Sequence, residues 1–277
     1  MDNVRALEAT LYILPRGRGR PAKVTPANAT LLAAIRQQYA MTYRDLAASE
    51  YMEWLGLQGV HYTTIHKAIK RLPETFLEEA MRILAVMTSN SQITAIVDAT
   101  IFALSCYEER VVKLKETKAR ITVKLSTIWV ADKHVFHGAK VIKGVSRATS
   151  TFKHLVKGCR AKIEALFAGS EFSSRKNHKL CADKGIKAVI KPQKSATPKA
   201  KGCPAWNDNV RRYKELGYEG WAEETGYFRK RFSEEHAFGM LIIKYGDEVR
   251  SSFFACSFYR FPAFLAPLVL FLSRSWE

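Results

Sequence analysis

The chain is poor in the features that would place it outside a reducing compartment. Its five cysteines, Cys106, Cys159, Cys181, Cys203 and Cys256, are scattered and form no CxxC pair. Neither a zinc ribbon nor a disulfide framework follows, and a reducing interior fits best. Long hydrophobic runs are missing too. The longest, FPAFLAPLVLFL, is broken by two prolines, whereas a membrane span needs about 20 consecutive apolar residues. The first residues, MDNVRALEATLYILPRGRGRP, have neither a basic start nor a cleavage site, so no secretory signal is expected. Acidic residues are scarce where basic ones are dense: residues 110–202 carry 23 Lys and Arg against 5 Asp and Glu.

That imbalance matters because the rest of the chain is nearly neutral. The net charge is +18 over 277 residues, and residues 203–277 carry 10 basic and 10 acidic side chains. A charge excess held in one segment predicts a face that meets phosphates. A Lys-rich solvated surface is the plainer alternative. With 47% hydrophobic residues, the chain is long enough for one substantial core and a small accessory domain.

Residues 15–23, PRGRGRPAK, place Arg16, Arg18 and Arg20 along a strip kept extended by Gly and Pro. Such a peptide suits a narrow, strongly negative minor groove; a basic linker is an equal alternative. Residues 42–54 read as a helix, LGLQGV as a turn, and a second helix opens at Thr63 and stops before Pro73. In that second helix Ile65, Ile69 and Leu72 share an apolar face, leaving Lys67, Lys70 and Arg71 to point outward. This is helix-turn-helix logic for DNA, against the alternative of a small bundle with a basic surface.

From residue 91 the texture changes. QITAIVDATIFAL, ARITVKLSTIWV and HVFHGAKVIK read as three strands. RATSTFKHLVKGCRAKIEAL then reads as a helix, EALFAGSEF as a strand, SSRKNHKLCADKG as a helix and IKAVIKP as a last strand. That order predicts an α/β, RNase H-like mixed sheet flanked by helices, preceded by the helical, helix-turn-helix-like region. The expected boundaries are 1–90, 91–255 with an exposed insertion at about 193–226, and a divergent tail at 256–277. In RKRFSEEHAFGMLIIKYG, Phe232, Phe238, Leu241 and Ile242 are placed to face a core.

Two carboxylates stand out. Asp98 sits in the apolar strand AIVDATIF, where an ionised group is costly unless paired or bound to a cation; a strand-end Asp bonded to a backbone amide is the plain alternative. Glu235 follows Arg231 by four residues, so the two share a helix face. Arg231 is then placed to orient the carboxylate or hold a phosphate, while an ordinary surface pair is worth little.

IVDATIF, HGAKVIKGVSRATSTFKHLVKG, ADKGIKAVIKP, VRRYKELGYEGWAEETGYFRKRFSEE and YGDEVRS together resemble the insertion-sequence transposases with a DDE catalytic domain, over roughly residues 40–255. The resemblance implies a transposase acting on double-stranded DNA, both element terminal repeats and target, with a homodimer in the DNA complex, no membrane partner and a place in the cytoplasm on the nucleoid. It implies a two-ion site for Mg2+ or Mn2+, whose carboxylates suit a hard cation, with Asp98 as the first aspartate and Glu235 as the glutamate. The second aspartate of that family ends a strand before a turn of the type ADxxYDSRxN. Here the text is AGSEFSSRKN: Gly169 stands in its place and Ser173 replaces the next acidic residue, while Arg175 and Asn177 persist. Ala148 and Thr149 likewise stand where the family carries a His-Asp pair. Glu171 is the nearby substitute ligand, on the expectation that residues two apart on an extended strand share a face. Asp183, well into the next helix, is expected to face solvent. A non-catalytic DNA-binding remnant or regulator is the competing function, and a nuclease for RNA–DNA hybrids a weaker third.

Overall fold

Thr25 and Pro26 open the first helix. The Thr25 hydroxyl accepts from the Asn28 amide at 3.2 Å, and proline at the first position gives up a donor that would have no partner there. The helix, α1 (Pro26–Gln38), is buried almost all round along ANATLLAAI, so it carries no amphipathic stripe. The computed structural model describes residues 22–72, 78, 81–82, 85, 92–105, 122–133, 135–143, 149–199, 201–245 and 248–250. They fall into two compact units, divided along the chain between residues 84 and 85.

In the N-terminal unit the stretch expected as one helix is two, α2 (Tyr43–Ala48) and α3 (Glu50–Trp54), because Ser49 is extended at φ −82°, ψ 159°. Thr42 and Asp45 form a reciprocal capping box on α2. Gly56 and Gly59 in the following turn both have left-handed φ, 65° and 71°, which only glycine adopts freely. The next helix, α4 (Tyr62–Lys70), is capped by His61 rather than Thr63: the imidazole Nδ1 lies 2.8 Å from the Thr63 hydroxyl. Ile65, Ile69 and Leu72 are buried with Leu31, Leu46 and Met52 in one core. Lys67, Lys70 and Arg71 are exposed.

The second unit is built on a sheet. β1 (Ile93–Ser105), β2 (Thr122–Val130) and β3 (Val135–Lys143) form an antiparallel run. Helix α5 (Thr149–Gly158) leads to β4 (Ile163–Ala168), and α6 (Arg175–Asp183) to β5 (Lys187–Ile190), both parallel to their neighbours. The order is β3-β2-β1-β4-β5, the mixed sheet of an RNase H-like domain. The expected long helix over 147–166 ends at Gly158, since Ile163–Leu166 pair with β1.

Beyond the sheet, α7 (Pro204–Thr225) is bent at Gly217, whose φ of 69° and ψ of −177° exclude a side chain. Its two halves fold back on each other: Trp221 donates to Asn209 at 3.1 Å, and the Arg212 guanidinium pairs with Glu224. The expected exposed insertion is therefore helical, and it buries Trp206, Val210 and Trp221. Helix α8 (Tyr227–Tyr245) follows, and β6 (Glu248–Arg250) pairs with β1. Phe238 and Leu241 of α8 are buried, whereas Phe232 is 74% exposed and Ile242 is exposed. Phe232 lies one position past the sheet-facing Arg231, about 100° around the helix.

Register decides which side chains share a face. Ala95 and Val97 of β1, Ile128 and Val130 of β2, and Leu166 and Ala168 of β4 join α5 and α6 in one core. Ile96 and Asp98 therefore lie on the opposite face, against which α8 packs.

Candidate active site

The middle of β1, the end of β4 and one helix make the site. Asp98 lies on β1, directly across from Thr127 of β2. β4 runs beside β1 and ends at Ala168, so Gly169 continues its alternation onto the Asp98 face. Tyr227, at the first turn of α8, donates from its phenol to the Ala168 carbonyl at 3.4 Å, and Trp129 of β2 donates to the Ser233 hydroxyl at 3.3 Å. These bonds seat α8 over the end of β4 and the strands beside it. Arg231, one turn beyond Tyr227, then meets Asp98: Nη2 is 3.1 Å from the Asp98 carboxylate. Its Nε donates to Glu235 at 3.1 Å, the i, i+4 pair that helical spacing implies.

Thus Asp98 and Glu235, 137 positions apart, are joined through one guanidinium. Their exposures differ: the Asp98 side chain is 14% accessible, Arg231 33% and Glu235 60%. Burial pushes the Asp98 carboxyl above its ordinary pKa; Arg231 and the Ala99 amide pull it back, and Glu235 adds to the rise. Burial also works against the Arg231 charge, but Asp98, then Tyr227 and Glu235, more than offset it and hold the guanidinium firmly protonated. Tyr227 is pushed up to about 12, chiefly by burial, so its phenol remains a donor.

Gly169 is buried. A Cβ at that position would lie 3.0 Å from Arg231 Nη1 and 3.5 Å from Asp98 Oδ1. A side chain there would point toward both the acid and the guanidinium.

Glu171 is not on an extended strand. Ser170–Phe172 form a 3-10 turn, so the two-residue alternation expected of it breaks down. Its carboxylate pairs with Lys124 of β2, whose side chain is 7% exposed. Lys124 stands across from Ile101, hence on the face opposite Asp98. Thr149 donates to the Glu171 carbonyl at 2.7 Å, fixing the turn from the same side. Arg175 and Asn177, the persisting residues of the turn, have structural roles. Asn177 donates to the Phe172 carbonyl at 2.7 Å, and Arg175 donates to the Lys199 carbonyl at 3.0 Å while lying over the Trp206 ring. Asp183 is exposed, as expected. Ser173 is buried. Arg16, Arg18 and Arg20, Ala148 and the tail at 256–277 lie outside the described residues. Tyr227 and Lys124 escaped the sequence reading; the one available signal was an aromatic four residues before Arg231.

Residues 89–255 match the family described as the transposase DDE domain. The chain belongs to the DDE transposase family. No curated protein matches it. Among solved structures it is similar to piggyBac transposase in a synaptic complex with hairpin DNA, at 14% identity and a TM-score of 0.33, covering 71% of this chain and 48% of that one. It thus spans about half the length of that relative. The Mos1 transposase paired-end complex with the left transposon end gives 9% identity, a TM-score of 0.25, and 78% and 83% coverage. A chain of the simian T-cell lymphotropic virus intasome in complex with PP2A regulatory subunit B56 gamma gives 10%, 0.23, and 76% and 68%. No helix among the described residues is long and apolar enough to cross a membrane.

Membership of this transposase family implies dependence on divalent metal in general. The residues gathered here do not fit a pair of such ions. Among the described residues no group of three or more His, Cys, Asp and Glu side chains is placed to hold a metal. Two carboxylates share Arg231, and Glu171 is engaged on the other face. The buried Thr127 hydroxyl has no partner, but a neutral hydroxyl brings no charge to balance two divalent ions.

Proposed function

We propose that this chain is an insertion-sequence transposase that binds element ends while its strand cleavage and transfer are impaired at position 169. The observation that carries the reading is the meeting of Asp98 and Glu235 on one guanidinium, inside a DDE domain, with the Cβ direction of Gly169 aimed at Arg231 and Asp98. The frame for in-line phosphoryl transfer is kept, and one acid of its set is gone.

DNA binding is assigned to the basic surfaces. In the N-terminal unit Lys67, Lys70 and Arg71 are exposed at the end of α4, the arrangement a recognition helix needs. Arg16, Arg18 and Arg20 extend the same role along the preceding strip. In the DDE domain, a cleft of about 530 Å³ beside the turn that follows Gly169 is lined by Ser170, Glu171, Lys191, Lys194, Tyr213 and Tyr218. Lys191 Nζ lies 4.1 Å from the centre of the Tyr218 ring. Such a cleft offers cations for a backbone and rings for a splayed base. Two copies of the chain would hold two element ends, in the cytoplasm on the nucleoid.

A second reading, a non-catalytic DNA-binding regulator derived from a transposase, is favoured by the grip of Arg231 on both acids. Nicking of end-containing duplex by the wild type and Gly169→Asp, with Mg2+ or Mn2+, separates the two. Under the leading reading, Gly169→Asp raises metal-dependent nicking by about two orders of magnitude or more, the scale of a lost catalytic group. Robust nicking by the wild type, lost in Glu171→Ala, would overturn it and make Glu171 the substitute ligand. Absence of nicking in both, with salt-sensitive DNA binding retained, would favour the regulator.

A further inference from the structure

The site holds a cation of its own. Arg231 reaches Asp98 through Nη2 and Glu235 through Nε, each at 3.1 Å. Its third nitrogen, Nη1, stands 3.0 Å from where a Cβ on Gly169 would sit. One planar group therefore serves both surviving acids, also hydrogen-bonds the Tyr227 hydroxyl, and turns its third nitrogen toward Gly169. Guanidinium is the cation suited to this, because it is planar, permanently charged and presents donors in several directions at once.

An aspartate at position 169 would ask the Arg231 guanidinium, the end of a flexible side chain, to give by a few tenths of an ångström, and its carboxylate would supply the third acid that divalent ions need. Conversely, while Arg231 stays, any divalent ion entering beside Asp98 meets a fixed positive charge within a few ångströms, without a third acid to balance it. Guanidinium and metal compete for the same two carboxylates.

We propose that the Arg231 guanidinium is the resident cation of this centre, standing in for divalent ions, so that the chain gathers no ion pair between Asp98 and Glu235. The inference rests on reading these two acids as the remnant of the DDE set. Its consequence is that Asp98 now serves to dock α8 on the sheet through Arg231, while Glu235, on α8 itself, only steadies that guanidinium, and that the folded chain is indifferent to divalent metal.

The experiment follows Mn2+ binding to the full chain by the loss of the free-ion electron paramagnetic resonance signal, and the melting temperature with Mn2+ against an ionic-strength control. The wild type should show no saturable Mn2+ binding that Asp98→Asn removes, and no Mn2+-specific change in melting temperature. Arg231→Gln should melt several degrees lower. It should bind Mn2+ at least about tenfold more tightly than the wild type, a change of about 1.4 kcal/mol, and regain melting temperature with it. Arg231→Gln combined with Asp98→Asn should lose that gain. Saturable binding by the wild type that Asp98→Asn abolishes would overturn the proposal, as would a folded Arg231→Gln that gains no Mn2+ affinity. Should Arg231→Gln fail to fold, the wild type and Asp98→Asn decide by themselves. DNA binding in a metal-free gel shift, and nicking by the wild type, test the transposase reading separately: Mn2+ uptake without nicking sinks only the inference, whereas loss of DNA binding sinks only the reading.

Discussion

On one face of the sheet Asp98, 14% exposed, leans on Arg231, which is 33% exposed and also reaches the still more open Glu235. On the other face Lys124, 7% exposed, is held by Glu171 at 32%. Both are acid–base contacts within a few residues of the end of β4, yet their depth order is reversed. On the α8 face the acid is the deeper partner and the cation opens toward solvent. On the α5/α6 face the cation is the deeper one. A buried charge is tolerable only while its partner stays, so each face is most sensitive to loss of the shallower group. The comparison also explains why Glu171 does not rescue the missing acid. Turning it to the Asp98 side would strand Lys124.

The sharpest way to break the comparison is Glu171→Gln. It leaves the Lys124 ammonium buried without its carboxylate and should cost about 2–3 kcal/mol, somewhat below the range for fully buried pairs because Glu171 is partly hydrated. Lys124→Met, which removes the deep charge and keeps an apolar stem, should cost less than half of that. Urea denaturation of both variants checks the order; equal losses would mean that the pair is no deeper on one side than on the other.

Much of this frame is legible in the residues. The Ile-, Val- and Thr-rich runs mark β1 and β2, and the arrangement of three strands followed by alternating helices and strands implies a mixed sheet. Position 169 is recognisable because Arg175 and Asn177 keep their spacing after it. What escaped has physical causes. Glu171 was expected on an extended strand, but the Asn177 amide draws the Phe172 carbonyl into a 3-10 turn and reverses the face. The Asp98–Arg231 contact spans 133 positions and exists only because Tyr227 and Ser233 seat α8 on the sheet. The extended backbone at Ser49 divides a stretch that has unbroken helical periodicity. A left-handed Gly217 turns a segment rich in Lys, Gly and Pro into a helical hairpin.

Acid should show the closed face in a second way. His178 of α6 is buried against the Trp206 ring, and burial alone lowers its pKa to about 4. Its ordinary value is about 6.5, so between pH 6.5 and 4 the unfolded chain binds the proton and the folded chain does not. Stability then falls as pH drops through that window, by up to about 2–3 kcal/mol from this group. His178→Leu should flatten this part of the acid limb of a melting curve. An unchanged slope would mean that His178 charges in place, with water reaching α6.

The smallest effect should come from the outermost acid. Glu235 is 60% exposed, and its pair with Arg231 is an i, i+4 contact on the surface of α8. Such pairs contribute about 0.3–0.5 kcal/mol, so Glu235→Gln should leave stability nearly unchanged in urea, several-fold less affected than Glu171→Gln. The same substitution in the Gly169→Asp background should abolish whatever metal-dependent nicking that background gains. A residue that is nearly silent in folding and decisive in a restored reaction belongs to a site. Were Glu235→Gln instead as costly as Glu171→Gln, Glu235 would be a strut of α8, and the likeness to a catalytic glutamate would be positional only.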